Sequence, residues 1–456
     1  MENKPDKKLT LKEKIGYGAG DLGNGFMFDL GQGYLLKFYT DVLGVSGAIG
    51  GSVFLVSKIF DAFADTTVGT LVDTRKNVGK RGKFRPFILF GTVPLAIATV
   101  LSFLAPNLSM GAKIAYAYIT YMIFGLAYSF VNIPYGSLAA AMTQDPVERT
   151  ELASFRQAGS TIGALITGVV VIPITLMFSN SKVGYPATMA IMAIIGVMFH
   201  LFCYKNTKEN IIVNSPKKEK VTLGRILKTI FSNKPLMLLN VVGLITITCY
   251  QLKLAMMVYY AQYNLGNVKL TSILNFVSIG CSLIGVAIMP FVVKKIGKKA
   301  TYIVGLAIWI GADLINYILP SSTAIFMTFT AIAYFGTSFM NGLNWAFISD
   351  AIEYGEWKTG ERTEGIIYST YSFCRKLAQA LAGFIPGMVL TLIGYVPNAH
   401  QTAAILGELK SLMLIVPAVG VGAALLIFIF FYKLTDEKYK NILSELKIRR
   451  SANAAK

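Results

Sequence analysis

The chain has 456 residues, 54% of them hydrophobic and only 15% charged, well short of the roughly one quarter charged residues usual in a soluble globular protein. Its formal charge of +19 comes from Lys and Arg gathered in the gaps between apolar blocks. That placement argues against a nucleic-acid surface and matches the cytoplasmic loops of a membrane protein. The N-terminal MENKPDKKLTLKEK is polar and reads as a cytoplasmic segment, not a cleaved leader. The apolar blocks then follow at membrane-crossing length, and they predict helices over 14–43, 48–73, 86–105, 112–144, 151–179, 184–205, 235–264, 270–294, 300–319, 322–350, 364–395 and 407–432. The fold class is therefore all-α, a polytopic membrane protein of twelve spans. A polar stretch divides it into a first bundle (1–205), a middle loop (206–234), a second bundle (235–432) and a charged tail (433–456).

Orientation follows from the loops. The gap after span 2 holds Arg75, Lys76, Lys80, Arg81, Lys83 and Arg85. The gap after span 6 is equally basic, and Lys294, Lys295, Lys298 and Lys299 follow span 8, whereas the opposite gaps and their edges hold almost nothing beyond Lys113, Lys182, Lys269 and Lys410. Both termini and the even-numbered loops are expected in the cytoplasm. Cys203, Cys249, Cys281 and Cys374, with His200 and His400, show no ligand or disulfide spacing, so no metal and no cofactor are expected. No HExxH, GxSxG or Walker-type motif stands in a suitable context, so the chain is not expected to be an enzyme.

Ionisable groups within the spans carry the functional signal, because each costs about 2.5–3.5 kcal/mol to insert. Span 1 holds Asp21, Asn24, Asp29 and Lys37. Its carboxylates suit sugar hydroxyls, though Asp21 also reads as a partner for a basic loop. In span 2, Asp61 and Asp65 are four residues apart on one face, with Lys58 one turn before Asp61. Two close carboxylates either hold a cation or raise one another's proton affinity. A neutralising Lys58–Asp61 pair is the other reading. Ser129 and Asn132 in span 4 offer neutral oxygens beside the helix-breaking Pro134. Arg156 and Ser160 sit early in span 5, and Arg375 and Lys376 lie well inside span 11, with Ser372 one turn earlier. These cations need sugar oxygens or carboxylates as partners. Lys253 and Asp313 lie mid-span in spans 7 and 9, and the sequence assigns neither a partner. Asn341, Asn344 and Trp345 share a face of span 10 and would suit a pyranose, although Trp is also an interface residue.

The motifs KIGYGAGDLGNG, FYTDVLG, FDAFADTTVGTLVDTR, GKFRPFILFGTVPL, NIPYGSLAAAMTQDP and DAIEYGEWKTGERTEGIIYS together resemble the glycoside–pentoside–hexuronide:cation symporter family of the major facilitator fold. The likeness covers almost the whole chain and leans toward the glucuronide carriers. It implies two six-helix bundles and alternating access. It also implies a cation site at Asp61, Asp65, Ser129 and Asn132 and sugar-binding cations at Arg156 and Lys376; with the residues read above, the candidate substrate site is Asp21, Asn24, Asp29, Arg156, Ser160, Asn341, Trp345, Ser372 and Lys376. A carboxylate of the melibiose-carrier branch falls on Asn132, which favours H+ over Na+ as the coupling cation. That branch's first-span aspartate falls on Gly25, and a tryptophan falls on Gly136. The loop positions Gly69, Asp73 and Arg75 match a gating latch of the fold. The expected function is import of a glycoside (pentoside, hexuronide or galactoside) with a monovalent cation across a bacterial inner membrane. The expected partners are the lipid bilayer, the glycoside and the cation, with no nucleic acid and no obligatory protein partner. A drug/proton antiporter or an uncoupled sugar facilitator on the same fold is the alternative.

Overall fold

In the computed structural model, residues 8–74, 81–143, 145–210, 223–361 and 363–454 are described. Among them the chain is wholly helical. The helices are α1 (Leu11–Met27), α2 (Asp29–Phe38), α3 (Gly47–Thr74), α4 (Arg85–Ser102), α5 (Met110–Met142), α6 (Pro146–Thr175), α7 (Ser181–Asn206) and α8 (Leu223–Ser232). They continue with α9 (Lys234–Tyr263), α10 (Leu270–Ile318), α11 (Thr323–Thr359), α12 (Glu364–Leu392), α13 (Ala403–Phe431) and α14 (Asp436–Ala454). Nine of the described helices are long and apolar enough to cross a membrane.

The remaining crossings have local causes. α10 is two arms bent at Gly297, whose φ of 82° suits glycine alone, inside the basic gap predicted between spans 8 and 9. Span 1 is α1 followed by α2, joined through Phe28, whose φ of −84° and ψ of −43° stay helical while the hydrogen bonding is locally interrupted. It ends in a π-helical turn, Tyr39–Leu43, closed by Gly44 at φ 78°. α12 carries Arg375 and Lys376 in its interior. Together these make the twelve crossings of the fold.

The chain forms two compact units. The first comprises Met1–Lys217 with Asn267–Phe276 and Gly383–Gln401. Glycine seams let its backbones approach closely, as lipid-embedded helices require in place of a hydrophobic driving force. A Cβ on Gly18 would stand 2.6 Å from the Phe155 carbonyl oxygen, and one on Gly159 2.2 Å from that of Gly18, so α1 and α6 pack backbone to backbone. At the end of α2, Lys37 and Asp41 form a buried ion pair at 2.5 Å. The Tyr395 hydroxyl donates to Asp41 Oδ1 at 2.9 Å, and the Asn398 side-chain amide donates to the Asp41 carbonyl oxygen at 2.8 Å. Before α4, the backbone N–H groups of Lys83, Phe84 and Arg85 all donate to the Glu209 carboxylate at 2.7–3.0 Å, so a negative charge caps the positive end of that helix.

The second unit comprises Lys218–Gly266, Val277–Ala382 and Thr402–Lys456. Its core is aromatic, with Tyr302, Trp309, Phe347, Phe428 and Tyr432 fully buried. Lys253 of α9 pairs with Asp313 of α10, and the Trp309 indole N–H donates to the second Asp313 oxygen at 2.9 Å. The tail that the sequence marks only as charged is the helix α14. It buries Ile442 and Leu446 in this core, and Leu434, just before the helix, joins them. Trp357 donates to Glu445 at 2.7 Å, and the Tyr439 hydroxyl donates to Glu353.

Candidate functional site

The α1–α6 glycine seam sets Asp21 opposite Arg156, whose Nε donates to Asp21 Oδ2 at 2.6 Å. Arg156 Nη2 makes two longer contacts of 3.5 Å, to Asp21 Oδ1 and to Asn132 Oδ1. The guanidinium face lies over the Tyr135 ring, 4.9 Å from its centroid. Its side chain is 34% exposed, so it keeps N–H donors for an incoming ligand beyond those that hold it.

Asn24 ties this pair to a buried histidine. Its amide donates to Asp21 Oδ1 at 2.9 Å and reaches Asn132 Oδ1 at 3.4 Å. Its Oδ1 lies 3.2 Å from His200 Nε2, which is also 3.1 Å from the Gly20 carbonyl. Two oxygen acceptors at Nε2 place a ring proton there, and Nδ1 shares a hydrogen bond with Thr92 Oγ1 at 2.8 Å. His200 thereby orients Asn24.

Two glycines clear this region. A Cβ on Gly25 would lie 3.0 Å from Gly163 Cα, so close packing of α1 on α6 occupies the place of a side chain where the melibiose-carrier branch has its aspartate. A Cβ on Gly136 would lie 3.5 Å from Arg156 Nη1, so the glycine leaves the guanidinium uncovered. Asp29 and Ser160 are half-buried, and no hydrogen bond or ion pair joins either to another described residue.

A second group lies between α3 and α5. Lys58 Nζ donates to Asp61 Oδ2 at 3.0 Å, and both residues are buried. Ser129 Oγ is 2.5 Å from Asp65 Oδ1 and 3.0 Å from the Gly125 carbonyl, so its one proton serves either acceptor. A Cβ on Gly125 would fall 2.0 Å from Asp61 Oδ1, and glycine is what admits the carboxylate there. The Phe28 ring, at the junction of α1 and α2, stacks on Tyr128 (centroids 4.0 Å apart), with the Lys58 ammonium 4.9 Å from the Phe28 centroid. The structure thus joins Ser129 to Asp65 and draws Asn132 to Arg156.

In the second unit, Trp345 stacks on Tyr368 at 5.3 Å, meets Tyr371 edge-on, and has the Arg375 guanidinium 5.3 Å from its centroid. Asn344 is buried and accepts from Tyr302 at 3.3 Å. Asn341, Ser372 and Lys376 are half-buried. Of the gating positions, Gly69 has open space beside it. Arg75 and the Asp73 side chain lie outside the described residues.

The sequence reasoning passed over His200, Thr92, Tyr135, Phe28, Tyr121 and Gly125. Only His200 had a signal, as one of two histidines and the one inside a span.

Residues 16–436 match the family model described as MFS/sugar transport protein. The chain is 52% identical over 441 residues to the uncharacterized symporter YjmB of Bacillus subtilis (strain 168), covering 97% of this chain and 96% of that one. It is 44% identical over 448 residues to a putative sulfoquinovose importer of Escherichia coli (strain K12), covering 98% and 96%. The nucleoside transporter NupG has the same fold, with a TM-score of 0.63 at 16% identity over 93% of this chain and 98% of that one. These are carriers of the major facilitator fold, not enzymes. The chain belongs to the MFS/sugar transport protein family, within the glycoside–pentoside–hexuronide symporters.

Proposed function

We propose that the protein imports a sugar or glycoside bearing a negative charge, together with a monovalent cation, by alternating access. The observation that carries this reading is the half-exposed Arg156, held by Asp21 within the membrane and left uncovered by Gly136. A guanidinium donates to hydroxyls of a neutral sugar as well, but a carboxylate or sulfonate accepts two parallel, charge-assisted N–H bonds from it and gains more. The relative described as a putative sulfoquinovose importer supports an anionic substrate. Sugar hydroxyls are suited by Asp29, Ser160, Asn341, Ser372 and Lys376, and the pyranose face by Trp345.

The cation is assigned to Asp61 and Asp65 with Ser129, and Asn132 lies at the edge of the substrate cluster. H+ is favoured and Na+ is the other candidate. One monovalent cation moving down 100 mV supplies about 2.3 kcal/mol, enough for a roughly fiftyfold sugar gradient. The bacterial inner membrane, with both termini cytoplasmic, is the setting that the loop charges support.

The test is uphill uptake into vesicles. A glucuronide and a sulfonated sugar are supplied with an imposed pH or Na+ gradient, and a neutral glycoside serves as control. Accumulation of an anionic sugar driven by one gradient is expected. Equilibration without accumulation under either gradient overturns symport. Exclusive accumulation of the neutral glycoside overturns the anionic assignment.

A further inference from the structure

Asp61 has two oxygens with different surroundings. Oδ2 accepts from Lys58 at 3.0 Å, while Oδ1 is buried with no hydrogen-bond partner among the described residues. The hydroxyls of Ser57 and Tyr121 are buried and unpartnered as well. Ser57 is one turn before Asp61 on the same face of α3, and a serine inside a helix usually returns its proton to the carbonyl four residues back. Buried polar atoms without partners are costly. Tyr121 lies one turn before Gly125, which meets Asp61 Oδ1, so with Ser57 the facing sides of α3 and α5 hold polar capacity that a cation can use.

The ammonium of Lys58 is itself lightly held. Its described contacts are one carboxylate oxygen and two ring faces, Phe28 at 4.9 Å and Tyr121 at 5.8 Å. Both rings would still attract it once the ion pair opened.

We propose that Lys58 is a tethered cation that competes with the coupling cation for Asp61, seated on the carboxylate when the carrier is empty and displaced onto the Phe28 and Tyr121 rings when the cation binds. This rests on the symport reading above. A symporter must also reorient empty, and an unbalanced carboxylate inside the membrane would oppose that step. Lys58 supplies the balance without a bound ion. The incoming cation takes Asp61 with its unpartnered Oδ1 and the Ser57 and Tyr121 oxygens. The displaced ammonium then matches the charge of an anionic substrate, which makes cation and substrate favour each other. The charged and titratable groups around the site are Lys58 and Asp65 on α3 and Tyr121 and Tyr128 on α5. The junction of α1 and α2 contributes the Phe28 ring.

The experiment measures the cation concentration giving half-maximal uptake of the driven sugar by full-length protein in proteoliposomes, titrating Na+ and protons separately. Lys58→Gln and Lys58→Met remove the competitor, and each should lower that midpoint at least tenfold; for protons the midpoint moves up by at least one pH unit. Lys58→Arg keeps the charge, and hence the folded unit, should the neutral variants be lost. Its fork grips both carboxylate oxygens, including the unpartnered one, so it should raise the midpoint at least threefold. An unchanged or higher midpoint in the neutral variants, or an unchanged or lower one in Lys58→Arg, overturns the competition. A wild-type protein whose uptake depends on neither cation overturns the symport reading and this proposal with it. A cation-dependent wild type with insensitive variants overturns this proposal alone.

Discussion

Lys253 and Asp313 neutralise one another across sixty residues of chain, in the interior of the second unit, at 1% and 0% side-chain exposure. With the Trp309 indole on the second carboxylate oxygen, the aspartate is fully satisfied, and so is the reason for a mid-span lysine. Breaking such a pair strands a buried charge. Asp313→Leu or Lys253→Met should therefore destabilise the protein by about 3–5 kcal/mol, whereas the double replacement Lys253→Met with Asp313→Leu should recover most of the loss. Thermal unfolding of detergent-purified single and double variants checks this. Additive losses would mean that the two residues do not act as a pair.

The cation assignment makes a different prediction for α3. Asp61→Asn and Asp65→Asn should abolish gradient-driven accumulation while sparing exchange of sugar across the membrane. Counterflow and uphill uptake measured on the same vesicles separate the two. Normal accumulation by both variants would remove these carboxylates from coupling.

Gly125 tests the same site from the opposite helix. A methyl group there would stand 2.0 Å from Asp61 Oδ1 and push the carboxylate aside. Gly125→Ala should lower cation-driven uptake at least tenfold, a change of about 1.4 kcal/mol or more, measured per molecule of protein that reaches the membrane. Undiminished uptake would show that the carboxylate has another place to go.

Arg156→Lys keeps the charge and loses the planar fork. A charge-assisted hydrogen bond contributes about 1.5–3 kcal/mol, so affinity for an anionic sugar should fall roughly tenfold to a hundredfold. Binding of a neutral analogue should change far less. Equal losses for both ligands in a calorimetric titration would make Arg156 a structural partner of Asp21.

The Asp41 cluster predicts a local effect. Tyr395→Phe and Asn398→Ala each remove one tie from 383–401 to the end of span 1, and together they should speed amide exchange in 383–401 selectively. Hydrogen-exchange mass spectrometry reads this directly, and unchanged protection would count against the ties.

The spans were legible because lipid demands apolar runs of a set length, and the cytoplasmic gaps because their lysines and arginines cluster. The interruption at Phe28 left no such mark. No proline stands there, and what holds the ring is packing on Tyr128 from a distant helix. Span 10 was expected to stop at 350, but α11 runs to Thr359 and ends only at Gly360 with φ 75°. Hydropathy reports where the membrane ends, not where helical hydrogen bonding does. Asn132 was grouped with Ser129 because three residues is nearly a helical turn. The remaining sixty degrees or so is enough to give the two side chains different neighbours. The pairing of Lys253 with Asp313 could not be read without the packing of α9 on α10.

The C-terminal helix limits how the polypeptide can be handled in the laboratory. Because Leu434, Ile442 and Leu446 are part of the second unit's interior and Trp357 is bonded to Glu445 and to Arg449 through its carbonyl, clipping the chain at Lys433 would strip apolar surface bare instead of trimming a loose end. Affinity tags and fluorescent fusions belong beyond Ala454 on a flexible linker, and a shortened version should extract from membranes as aggregate.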